Sequence, residues 1–321
     1  MQYLICIVFL STLFSSASAT CTFPTDLTGI WENPGQGNLT FNETHMTGYD
    51  VDSYTDLTLE CHLFADDKYV LRSSDFTLLG LSNVVNAAFC ISLTKQSSNK
   101  YTYFIQTSQL ADANYERVMF LQSSDVISSV NDVCNDTSTV NVPQETKLLV
   151  KFGEAVNEAV RCPNDILGTY WYYNHTTCTE SYWDVCSVTS QMTFNYTMCS
   201  EKQFFSAGGV VRCLYNVEDN DDTVTYIYNE DSTVDNSATY QYSCMIVKKD
   251  SSDGLVYVTQ YPRDCLSNQT STYVVSSGHS NVLSANVTCD KVRVLTIKER
   301  TYTSMLIFQF LPRIPVFLKL V

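Results

Sequence analysis

Pro24-Thr25-Asp26-Leu27-Thr28-Gly29-Ile30-Trp31 returns in the second half of the chain as Pro163-Asn164-Asp165-Ile166-Leu167-Gly168-Thr169-Tyr170. Each copy has a proline, an aspartate, an aliphatic residue, a glycine and an aromatic at the same spacing, close behind a cysteine (Cys21 and Cys162). Two further blocks follow in the same order. Leu39-Thr40-Phe41-Asn42-Glu43-Thr44 matches Met192-Thr193-Phe194-Asn195-Tyr196-Thr197, and the run Cys90 to Asn99 matches Cys244 to Asp253 without a gap, with Tyr103 against Tyr257. Cysteine spacing tracks the match: Cys61 to Cys90 is 29 positions against 31 for Cys213 to Cys244, and Cys90 to Cys134 is 44 against 45 for Cys244 to Cys289. Self-similarity of this kind marks a duplicated structural unit.

The repeat divides the 321 residues into a first module, 20–140, a linker, 141–161, and a second module, 162–290. The stretch Gly153 to Val160 predicts a short linker helix. The second module carries an insertion of about 14 residues holding Cys178 and Cys186, and Cys199 and Cys265 have no counterparts in the first. Shared cysteines are expected to pair within a module, and Cys178, Cys186, Cys199 and Cys265 among themselves.

Both modules read as β. Apolar and polar residues alternate with period two in Thr223–Tyr228, Tyr101–Gln106 and Leu255–Gln260, the pattern of half-buried strands. Tyr, Thr and Val are abundant, as strands favour. The expected fold is all-β, with two tandem disulfide-bonded antiparallel modules, each closing as a barrel or a sandwich.

The ends bound the setting. Residues 1–19 lack charge, hold the apolar run Leu4–Leu10 and close in Ala17-Ser18-Ala19, the layout of a secretory signal. Of 13 cysteines Cys6 leaves with it. The remaining twelve, Cys21, Cys61, Cys90, Cys134, Cys162, Cys178, Cys186, Cys199, Cys213, Cys244, Cys265 and Cys289, read as up to six disulfides of an exported protein. Sequons stand at Asn38, Asn42, Asn135, Asn174, Asn195, Asn268 and Asn286, each a candidate surface glycan site. The tail, 291–321, is basic and apolar and lacks cysteine; it reads as a truncated third module and makes a poor membrane span.

Charge excludes some partners. Residues 20–290 hold 13 basic and 33 acidic side chains, a net of −20, which argues against nucleic acid and anionic lipid. Such a body suits other secreted or matrix proteins, calcium or a mineral surface. No cofactor is implied, and no metal site: cysteine pairs two apart are absent, and the acidic run Glu218–Asp222 lacks the glycine that a helix–loop–helix calcium site needs, since Val224 stands there. That run reads as a solvated hairpin tip. The histidines, His45, His62, His175 and His279, are scattered and unduplicated, and no catalytic motif is present. The chain is therefore read as no enzyme.

The opening Cys21-x-Phe23-Pro24-x-x-Leu27-x-Gly29-x-Trp31 resembles modules of an uncharacterised invertebrate family of secreted and single-pass membrane proteins. Cys162-Pro163, Leu167-Gly168-x-Tyr170, Asp184-Val185-Cys186-Ser187 and Cys213-Leu214-Tyr215 are similar to that family's next module. The resemblance implies an extracellular architecture and lends no functional residue. Gly29-x-Trp31 also resembles the G-x-W of lipocalins, which implies a tryptophan plugging one end of an eight-stranded barrel. Two readings of function follow: a secreted non-enzymatic structural or interaction protein of an acidic, biomineral-type extracellular matrix, or a lipocalin-like carrier of small apolar ligands.

Overall fold

The computed structural model describes residues 21–51, 54–77, 84–113, 115–135, 142–173, 178, 181–195, 205, 208–231 and 239–289. The signal segment, Asn174, His175, Cys199 and the tail lie outside them. The chain forms two eight-stranded antiparallel barrels. The first contains β1 (Gly29–Asn33), β2 (Gly37–Phe41), β3 (His45–Val51), β4 (Tyr54–Ala65), β5 (Lys68–Ser73), β6 (Val84–Lys95), β7 (Lys100–Ile105) and β8 (Lys147–Lys151). The second contains β9 (Gly168–Tyr172), β10 (Tyr182–Asp184), β11 (Gln191–Asn195), β12 (Val210–Asp219), β13 (Asp222–Asn229), β14 (Tyr242–Lys249), β15 (Leu255–Pro262) and β16 (His279–Thr288). In each, every strand pairs with the next and the last closes on the first.

The repeated opening motif builds the same device twice. Thr25–Leu27 and Asn164–Ile166 each form one 3-10 turn, which drives a fully buried Leu27 or Ile166 into the barrel end. Trp31 follows on β1 and donates its Nε1 proton to Leu27 O at 2.6 Å; Tyr170 follows on β9 and donates its hydroxyl to Asp165 O at 3.2 Å. The glycines serve different ends. Gly29 sits at φ +123°, where side chains are strained, whereas a Cβ on Gly168 would lie 2.7 Å from the Tyr170 ring.

Strand counting revises several alignments. Leu39–Phe41 is on the second strand of its barrel, but Met192–Asn195 is on the third of the other, so the counterpart of Met192-Thr193 is Met46-Thr47. Leu93 lies opposite Tyr103, whereas Val247 lies opposite Val258, because the second hairpin is one residue longer at Gly254. Residues 147–151, assigned to the linker, are the closing strand β8. No helix spans Gly153–Val160. Gly153 takes φ +78° and isolated turns follow, since so short a run cannot recover the cost of helix nucleation.

The pairing of cysteines corrects one expectation. Cys21–Cys61 and Cys162–Cys213 are equivalent bridges, as are Cys90–Cys134 and Cys244–Cys265. Cys134 and Cys265 both precede the closing strand, so Cys265 is the true counterpart and Cys289, just after β16, is the additional cysteine. It pairs with Cys186, while Cys178 is also disulfide-bonded. Spacing aligned Cys134 with Cys289 because the first barrel's long excursion, 106–146, matches in length the stretch of the second barrel that already includes β16.

The barrels dock side by side. Leu148 and Val150, on the outer face of β8, pack with Ala155 against Leu214, Val224, Tyr226, Tyr242 and Ile246. Fully burying each such aliphatic side chain contributes about 1.5–3 kcal/mol. Polar contacts cross the seam: Tyr242 Oη donates to Glu32 Oε2 (2.8 Å), Tyr226 Oη to Thr146 O (2.6 Å) and Lys100 Nζ to Leu214 O (2.9 Å). Leu214 is the bulged residue of β12, skipped by the ladder with β13, so the lysine caps a carbonyl that the sheet leaves out.

Candidate functional site

The interior of the first barrel is filled. Phe41, Met46, Tyr49, Leu71, Phe89, Ile91, Tyr103 and Leu149 enclose a residual apolar cavity of about 10 Å³, the volume of one water-sized probe. Trp31 stands edge-on to Tyr101 at 5.5 Å between ring centroids, and Phe23 packs on Phe41 and Tyr69. The second barrel is lined in the same way by Tyr170, Trp183, Met192, Phe194, Met245, Val258 and Leu283.

At the end of the first barrel away from the 3-10 turn, a cleft of about 320 Å³ opens between the two modules, within the range of small-ligand sites. Its floor is the rim of the core, Tyr49, Phe89, Tyr103 and Ile105. One wall is a short ribbon in which Gln109–Leu110 pairs with Glu116–Arg117. Tyr115 leads into that ribbon at φ +60° and is 67% exposed. The other walls are Gln36 from the β1–β2 turn, Glu145 and Lys147 at the start of β8, and Asp264–Ser267 from the second module.

Four of the five charges that line the cleft form two ion pairs, and Glu116 adds a further carboxylate. Arg117 Nε lies 3.3 Å from Glu145 Oε2, and its Nη1 donates to Thr107 O. Lys147 Nζ lies 2.7 Å from Asp264 Oδ2, and Tyr226 Oη approaches the other carboxylate oxygen at 3.3 Å. Gly35 packs closely on the Asp264 carboxylate, which would have to shift to admit a Cβ there. Asn33 is fully engaged: Nδ2 donates to Tyr103 Oη and Leu148 O, and Oδ1 accepts from Gly35 N and Gln36 N. Burial pushes the Tyr49 phenol far above its ordinary value, and the negative charges of Glu116 and Asp264 push it further. Tyr103 is raised in the same way by burial first, then by Tyr49 and Asp264. Both phenols therefore remain protonated donors.

The lining holds Ser267 and no histidine. The arrangement supplies hydrogen-bond donors, acceptors and ring faces, the chemistry of recognition. Of these cleft residues the sequence marked only Tyr103, as the match of Tyr257 in the repeat, and Cys265, as a disulfide cysteine, and neither as part of a binding surface. The lining residues come from six separated stretches of the chain, and the one available signal was the length of the 106–146 excursion, set against 263–278 in the second barrel.

The sequence-derived sites fall elsewhere. Asn38, Asn42, Asn135, Asn268 and Asn286 are exposed and Asn195 is half-buried. Asn42 Oδ1 accepts from Thr44 N and His45 N in its turn, and Asn135 Oδ1 from Ser108 N. Asp219 and Asp222 face each other across a two-residue hairpin turn, so the acidic run is a strand tip. His45, on β3, contacts Thr44 Oγ1; His62 lies on β4, and His279 opens β16 beside the Phe205 ring. Among the described residues no group of His, Cys, Asp or Glu is arranged to hold a metal ion, and no helix is long and apolar enough to cross a membrane. Residues 158–282 match a family described as a domain of unknown function (DUF7042), a span that covers most of the second barrel and leaves out the first. No curated protein and no solved structure matches the chain.

Proposed function

We propose that this is a secreted, non-enzymatic structural or interaction protein of an acidic extracellular matrix, which recognises its partners through outer surfaces and the cleft between the barrels. The observation that carries this reading is the filled interior. With about 10 Å³ left in the first barrel, its interior has no room for a ligand, which favours binding at its outer surfaces. The disulfides support an extracellular setting. The net negative charge of the body favours cationic or mineral-bound partners, with carboxylates dispersed over the surface.

The carrier reading rests on the eight-stranded closure with a 3-10 turn and Trp31 at one end. It requires an open interior, and the packing of the first barrel weighs against one there. Native mass spectrometry of the protein recovered from secreting cells, after glycan removal, separates the two. A bare mass supports the matrix reading; an apolar molecule retained under native conditions and released on denaturation would defeat it. Adsorption to calcium carbonate that weakens with added salt is expected for the mineral version, and indifference to mineral removes that version.

A further inference from the structure

We propose that the cleft at the mouth of the first barrel binds a neutral carbohydrate. The inference rests on the interaction reading above and assigns that surface a ligand class. Tyr115 is the starting point. A bulky residue at φ +60° is an uncommon backbone choice, and this one is mostly exposed. The hydrogen bond that fixes the turn, Tyr115 N to Leu110 O at 3.0 Å, uses only the backbone, so glycine would preserve it and relieve the strain. Strained conformations collect where a side chain has a task beyond the fold.

The task the surroundings define is stacking. An exposed phenol ring at the rim offers its electron-rich face to polarised C–H groups, and one face of a pyranose ring presents such groups. Hydroxyls around a sugar both donate and accept, and the walls match that demand. Gln36 has its Oε1 held by Asp50 N, which leaves its amide N–H groups as donors. Gln109 offers both functions, and the carboxylates of Glu145 and Asp264 accept.

Charge and depth exclude the other classes. Arg117 with Glu145 and Lys147 with Asp264 neutralise each other, and Glu116 adds a carboxylate that repels anions; an ionic ligand that broke either pair would leave one partner half-buried and uncompensated. A hydrocarbon chain has no depth to enter, because the floor closes on the packed core. A neutral polyhydroxylated ring needs neither a free charge nor a tunnel. The site also lies at both a barrel mouth and a module junction, positions where ligand sites concentrate.

The test uses the full secreted protein with its own N-glycans enzymatically removed, so that they do not compete. It is screened against immobilised neutral and acidic oligosaccharides, and hits are titrated by calorimetry. Binding to at least one neutral oligosaccharide is expected, insensitive to ionic strength. It should weaken by about tenfold or more in Tyr115→Ala, a loss of about 1.4 kcal/mol, and survive in Tyr115→Phe, which keeps the ring. Tyr115→Gly should lose binding while its melting temperature holds or rises, which separates loss of the site from loss of the fold. No neutral ligand, salt-steep binding of acidic glycans alone, or binding indifferent to Tyr115→Ala would overturn the proposal. A protein partner seated in the cleft without any glycan would overturn it too and leave the interaction reading standing.

Discussion

Lys100 offers the sharpest test of how the two barrels are held together. Its side chain is only 7% exposed, and its ammonium donates to Leu214 O (2.9 Å) and Glu158 O (3.0 Å), with Glu158 Oε2 at 3.6 Å. Burial pushes its pKa below the ordinary lysine value, against the pull of Glu158, so the charge itself is no net source of stability. What Lys100→Met removes is the donor, and two carbonyls are left behind, one of them at the bulge and without a ladder partner. Each buried acceptor left unmet costs about 1–3 kcal/mol, and relief of the lysine's own desolvation returns part of that, giving a net loss of about 3 kcal/mol. At a urea dependence of about 2 kcal/mol/M the unfolding midpoint should fall by about 1.5 M, measured by intrinsic fluorescence with disulfides intact. Lys248→Met, which breaks a pair with the exposed Asp221, is the control and should shift almost nothing. If Lys100→Met costs no more than that control, the seam is not held as described.

Other substitutions probe the duplicated opening. Gly168→Ala should destabilise by about 1–3 kcal/mol through collision with the Tyr170 ring and recover when Tyr170→Leu is added; Gly29→Ala should cost a similar amount through its positive φ and gain nothing from a change at Trp31. Asp26 and Asp165 should respond oppositely to pH. Hydrogen bonds from Lys95 and Tyr101 hold Asp26 below the usual carboxylate value of 3.8, so its contribution is present above that value and lost as pH falls through the folded pKa; Asp26→Asn should flatten the acid limb of a melting-temperature profile. Burial raises Asp165, with Glu218 and Asp222 adding to it, so the folded state gains stability as pH falls through the raised value, and Asp165→Asn should melt higher at neutral pH. Peptide mapping without reduction should recover Cys244 linked to Cys265 and Cys186 to Cys289; a Cys186–Cys265 peptide would contradict the fold.

Much of the architecture was legible in the sequence, because the opening motif has local physical content: a turn, a glycine and an aromatic that must enter the barrel together. The Cys90 and Cys244 hairpins were legible because the two copies match without a gap, although their first strands are buried on both faces over most of their length. The second block misled. Met-Thr-Phe matched Leu-Thr-Phe by side-chain type, and period-two alternation fits any strand, so nothing local marked the slip from β2 to β11. The seam was hidden for the opposite reason. Val224, Thr225, Tyr226 and Ile227 are all buried because one face of β13 lines its own barrel and the other meets the neighbouring module. The cleft was illegible because Tyr115, Glu145 and Asp264 meet only after the barrels dock. The expectation that Cys178, Cys186, Cys199 and Cys265 pair among themselves failed for Cys186 and Cys265, because spacing alone does not show which cysteine precedes the closing strand.

None of the five described bridges crosses between barrels. Under tension the molecule is therefore graded: each barrel is sewn internally by covalent loops, while among the described residues the seam is held by packing, hydrogen bonds and the Lys147–Asp264 ion pair. A pull applied through Cys21 and Cys289 would part the seam first and release residues 152–161, roughly 35 Å of slack at full extension, before either barrel gave way. Once the load dropped, the intact barrels could dock again. In a stretched extracellular network, such a chain would behave as a resettable fuse.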